Sequence, residues 1–132
     1  MGEGSFRTSI LPWLSVRDSP LALEFYKAAF GAVELYRHEG DGIVAQLAVD
    51  GAEFWMAEAS PEQGNPAPEE ATGTPVRIIL TVEDPDAMYA RALAAGARVH
   101  CPLTNDHGWR VGRVVDPFGH HWEIGKPILP ST

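Results

Sequence analysis

The sequence predicts an α+β fold made of two tandem βαβββ modules, and three observations carry that prediction. The stretch "LSVRDSPLALEFYKAAFGAVEL" from Leu14 returns as "LTVEDPDAMYARALAAGARV" from Leu80, half the 132-residue chain further on. Val16 thus recurs as Val82, Asp18 as Asp84 and, with a one-residue slip, Gly31 as Gly96. Later, "AVDGAEFWM" returns as "VVDPFGHHWEI", with Asp50 matching Asp116 and Gly51 matching Gly119 after a short insertion. Finally, each half holds one run of helical period amid strand-like runs separated by turn residues.

The elements follow in the same order in each half. An apolar β-rich run (Ile10 to Val16; Val76 to Val82) ends at an Asp-containing turn with Pro20 or Pro85, where Asp18 or Asp84 suits a helix N-cap. In the helix that follows, Leu21, Phe25, Ala28 and Ala29, or Met88, Ala92 and Ala95, recur at helical spacing and are expected to form the buried stripe. Gly31 and Gly96 stand where a helix end favours positive φ. Three strands are then expected in the first half, Val33–Arg37, Ile43–Val49 and Glu53–Ala57, with Gly40-Asp41-Gly42 and Asp50-Gly51 as turns. The modules fall at 8–58 and 76–127 of a single domain spanning 1–132. The linker, 59–75, is rich in Pro, Gly and Glu and reads either as an acidic connector or as a flap over a ligand.

Composition narrows the function classes. A chain this long buries roughly 65–70% of its extended surface, enough for one core. No apolar run approaches the ~20 residues of a membrane span, and "MGEGSFRTS" lacks a secretory or myristoylation pattern, so a cytoplasmic protein is expected. The net charge of −8, without a Lys/Arg cluster, argues against a nucleic-acid partner and makes a cationic or neutral small ligand the easier one. The lone Cys101 allows no internal disulfide; it reads as a small buried residue, a nucleophile role needing an electropositive setting.

Alternation along the strands assigns faces. Ile10, Leu14 and Val16 share the helix side, as do Ile78, Leu80 and Val82, and Phe54 and Met56 pair with Trp122 and Ile124. The opposite side collects Trp13, Gln46, Trp55, Arg77, His121 and Glu123, aromatics beside a few polar groups, which suits a small-molecule site. The same Trp13 and Trp55 also suit a dimer interface or packing between sheets. Trp109, in "NDHGWRVGR", falls on an expected loop and serves either as a stacking residue or as that loop's anchor. His38 and His107 read as loop residues, and His120 as a turn or helix-facing residue.

With the doubled unit and the "DPFGHHWEI" ending in hand, residues 8 to 127 resemble the vicinal-oxygen-chelate superfamily of glyoxalase I, fosfomycin-resistance transferases, extradiol dioxygenases and bleomycin-resistance proteins. "LSVRDSPLALEFYKAAFGA" and "GWRVGRVVDPFGHHWEI" look like its small bacterial glyoxalase/bleomycin-resistance or PhnB-like branch. The resemblance implies a cupped mixed sheet with helices on its outer face, completed by a homodimer partner. It also implies four metal-ligand positions, which align here with Leu11, Trp55, Arg77 and Glu123. Only Glu123 is a ligand type; Leu11 and Trp55 offer no lone pair, and Arg77 repels a cation. No metal cofactor is therefore expected, the alternative being a divalent ion on Glu123 and His121. Glu123 and Arg77 are expected to approach one another or to orient a ligand together.

Three functions compete. The first is a metal-free binding or resistance-type protein holding an aromatic or cationic antibiotic-like ligand on Trp13, Trp55 or Trp109, with Arg77 and Glu123 anchoring its polar groups. The second is a glyoxalase-like lyase, isomerase or transferase using Glu123 as metal ligand or general base, with His121 as ligand or proton relay. The third is a PhnB-like protein with an unassigned metabolic or interaction role.

Overall fold

The computed structural model describes residues 6–69 and 73–128. Residues 1–5, part of the N-terminal targeting argument, and 70–72, within the linker, lie outside it. The expected α+β duplication is present. The first module runs β1 (Trp13–Val16), α1 (Ser19–Phe30), β2 (Val33–Gly40), β3 (Gly42–Val49) and β4 (Ala52–Glu58). The second runs β5 (Arg77–Thr81), α2 (Pro85–Ala95), β6 (Arg98–Asp106), β7 (Trp109–Val115) and β8 (His121–Pro127). Each module forms its own four-stranded mixed sheet, in the orders β1-β4-β3-β2 and β5-β8-β7-β6. The first strand pairs in parallel with the last, and the other pairs are antiparallel.

Local chemistry sets the helix ends. Asp18 and Asp84 accept from Leu21 N at 3.2 Å and Ala87 N at 3.1 Å, satisfying N-terminal donors that have no partner inside the helix. Gly31, at φ 71°, takes the left-handed turn that ends α1, and its N–H donates to Lys27 O. The C-terminal carbonyls of α1 find a further partner across the module boundary, where Arg91 Nε donates to Ala28 O at 2.7 Å. At the β2–β3 turn, a Cβ on Gly42 would stand 2.4 Å from Glu58 Cβ, so only glycine fits there.

Several expectations need correction. Ile10 lies before β1 and is 94% exposed rather than helix-facing, since the pairing with β4 begins only at Trp13. The stripe of α1 is Ala22, Leu23, Phe25, Tyr26, Ala29 and Phe30, while Leu21 and Ala28 face solvent. Trp109 opens β7 instead of occupying a loop, and His38 lies on β2, because both hairpins extend further than their apolar residues suggest. Cys101 is exposed on edge strand β6, which has a neighbour on one side only.

The helix-facing sides of both sheets join in one core. Phe30 and Phe54 of the first module meet Trp122 of the second at ring-centroid distances of 4.5 and 5.4 Å. At its centre Asp116, 1% exposed, accepts from Tyr26 Oη at 2.6 Å and Trp122 Nε1 at 2.9 Å through Oδ2. Its Oδ1 accepts from Phe118 N at 2.9 Å and His120 N at 3.0 Å, so the buried carboxylate is fully bonded. Burial, and then the charge of Asp116, push the Tyr26 hydroxyl well above the usual tyrosine range and keep it a donor. His120 Nε2 donates to the Ser15 carbonyl at 2.8 Å, a second tie between modules.

Candidate functional site

The sheet faces turned away from this core differ sharply in chemistry. On the first sheet, β-pairing aligns Trp13, Trp55, Gln46 and Tyr36 in one row across all four strands. Trp13 stacks on Trp55 at 6.0 Å with a 23° interplanar angle, and Tyr36 meets Trp55 edge-on at 5.9 Å. Trp13 nevertheless stays 50% exposed. Gln46 Nε2 donates to Glu53 Oε1 at 2.6 Å, which orients the amide at the row's flank. Tyr36 joins the row through a β-bulge between Glu34 and Tyr36, which shifts the register by one residue.

The second sheet is polar and cationic where the first is aromatic. One row carries Arg77, His121, Val115 and Arg98; the next carries Ile79, Glu123, Arg113 and Cys101. Arg77 Nε donates to Glu123 Oε1 at 2.8 Å, so these two side chains do approach one another. Arg113 Nη2 stands 3.9 Å from the same oxygen. His121 packs edge-on against His100 at 5.0 Å. Burial, then His100 and Arg113, hold the His121 imidazole below the usual histidine range, favouring its neutral form.

The seven residues singled out from sequence therefore fall into separate places. Trp13, Gln46 and Trp55 come together on the first sheet, and Arg77, His121 and Glu123 on the second. Trp109 sits apart from the latter, paired with Pro127 at the far end of β8. Among the described residues no hydrogen bond, ion pair or ring contact joins the two groups. Tyr36, His100 and Arg113 complete the two faces and were not singled out from sequence. A cleft of about 480 Å³ lies between the edge strands β1 and β5, lined by Trp13, Ser15 and His120 and by Pro66, Pro68 and Pro75 of the linker. The linker is held there in part by Arg17 Nη1, which donates to Pro68 O at 3.1 Å.

The side chains at the four aligned metal positions do not fit a divalent ion. Glu123 Oε1 already accepts from one guanidinium and faces a second, both of which repel a cation. Among the described residues, no three His, Cys, Asp or Glu side chains are grouped to hold a metal. Nor is any described helix long and apolar enough to cross a membrane.

Two βαβββ units with open, chemically distinct sheet faces and a shared helix-side core define a duplicated α+β architecture. Residues 9–124 match the Glyoxalase/Bleomycin resistance protein/Dioxygenase superfamily, and the chain belongs to that family. It is 44% identical over 128 residues to an uncharacterized protein of Mycobacterium tuberculosis, covering 91% of this chain and 75% of that one. The crystal structure of TioX from Micromonospora sp. ML1 superposes with a TM-score of 0.70 at 27% identity, covering 92% of this chain and 99% of that one. FosX, a fosfomycin resistance protein of Listeria monocytogenes, shares the fold at a TM-score of 0.72 and 18% identity, covering 95% and 97% of the two chains.

Proposed function

We propose that the protein is a metal-free small-molecule binding protein of the glyoxalase/bleomycin-resistance type, which holds a flat aromatic group against the row formed by Trp13, Trp55 and Tyr36. The carrying observation is that row: three aromatic rings on a sheet face with no helix over it, Trp55 touching both Trp13 and Tyr36, and those outer two half exposed. The Arg77–Glu123 pair supplies polar anchors on the other open face. A second copy of the chain, facing the first sheet of one protomer with the second sheet of its partner, would enclose the ligand between them. Sequestration of an antibiotic-like molecule is the finer form of this reading, and its support is the resistance role in the name of FosX, which has the same fold.

A glyoxalase-type reaction with Glu123 as base is the weaker reading, because its carboxylate is already paired with the Arg77 guanidinium through Oε1. Tryptophan fluorescence during titration with a panel of flat heteroaromatic compounds tests the proposal. Losing the indole contact at Trp55 removes ~1.5–3 kcal/mol of burial and stacking. Trp55→Ala is therefore expected to weaken a bound compound by about tenfold to a hundredfold, and unchanged affinity would remove the aromatic row from the site.

A further inference from the structure

Arg113 is built differently from the other arginines around it. Its side chain is 25% exposed, its Nε is enclosed without a partner, and its Nη2 stands 3.9 Å from Glu123 Oε1, beyond hydrogen-bond reach. Among the described residues its side chain makes no hydrogen bond. Beside it the Nδ1 of His121 is likewise enclosed and unpartnered. An enclosed guanidinium N–H without an acceptor is costly, and a protein keeps such a group where an acceptor arrives from outside.

The surrounding charge specifies that acceptor. Arg77 and Arg113 share one carboxylate, Glu123, which leaves positive charge on the face; His100 and Arg98 border it on β6. Burial first, and then the charge of His100 and Arg113, favours the neutral state of His121 beside it. This cationic patch lies on a chain whose net charge is −8, so the local field opposes the global one. A planar fork of N–H donors matches the two oxygens of a carboxylate or phosphoryl group.

We propose that Arg113, with Arg77 and His121 beside it, forms an oxyanion subsite on the open face of the second sheet, which takes the carboxylate or phosphoryl group of the small molecule. The ligand is then an aromatic acid instead of a cation. The inference rests on the binding reading only in assigning the anion and the aromatic group to one molecule.

The test follows the Arg113 Nε–H and His121 ring resonances by NMR while inorganic phosphate or benzoate is added, with sodium chloride at matched ionic strength as the control. Both probes are expected to shift these resonances saturably in the wild-type protein. His121 should respond at least tenfold more weakly in Arg113→Gln, and to an intermediate degree in Arg113→Lys, which keeps the charge without the fork. Trp55→Ala should leave phosphate binding intact while weakening benzoate. Resonances unmoved by either probe, or a His121 response undiminished in both Arg113 variants, would overturn the subsite. If Arg113→Gln abolishes phosphate binding while Trp55→Ala binds benzoate as the wild type does, the subsite stands and the aromatic reading alone fails.

Discussion

Glu123 and His121 stand two positions apart on β8, so both project from the same side of the sheet, and their neighbours decide what each can do. The carboxylate is held by Arg77, whereas the imidazole is kept neutral by burial and nearby positive charge. The second effect makes stability depend on pH. The His121 pKa is lowered in the folded chain, so below about pH 6.5 the unfolded chain binds the proton more readily. This contribution is complete above the unfolded value and is lost as pH falls from there toward the folded one. Urea midpoints between about pH 5 and pH 7.5 should therefore drop on the acid side, and His121→Gln should flatten that part of the profile. Arg77 and Glu123 were legible because strict alternation and the repeat place them on one face. Tyr36 and Arg113 were not: Tyr36 follows a bulge that reverses the parity of β2, and Arg113 faces Cys101 across an irregular stretch of β6 that simple alternation cannot register.

Among elements, the helices show how far sequence periodicity reaches. Both N-caps and both terminal glycines fall where the sequence puts them, since capping is a local matter of a few residues. The phase of the α1 stripe does not, because Leu21 at the first turn extends past the edge of the core and small Ala22 is the residue that touches it. The docking of α1 on α2 was not readable either. It depends on Arg91 reaching from one module to the Ala28 carbonyl of the other, a contact between residues with no motif in common. Arg91→Ala should cost about 1 kcal/mol, the net worth of an exposed hydrogen bond to a helix end, read as a lowered Tm in thermal unfolding.

For the whole molecule, the duplication has produced two halves with a common scaffold and opposite surfaces, one aromatic with Glu53 at its flank and one rich in arginine. Faces of that kind attract one another between copies. Sedimentation equilibrium should accordingly report a dimer that weakens with added salt, and a monomer at all concentrations would remove the enclosing second copy from the proposal. Overall charge was a poor guide at this scale, because a total says nothing about where ten cationic and eighteen acidic side chains are placed.

The hydrogen bond from Tyr26 to Asp116 ties the two halves together inside the core, independently of the linker that joins them in the chain. Covalent continuity through that linker is then dispensable once folding is complete. A protease that cuts among its exposed prolines would produce two fragments on a denaturing gel and a single particle under native conditions, each fragment serving as the other's missing interior.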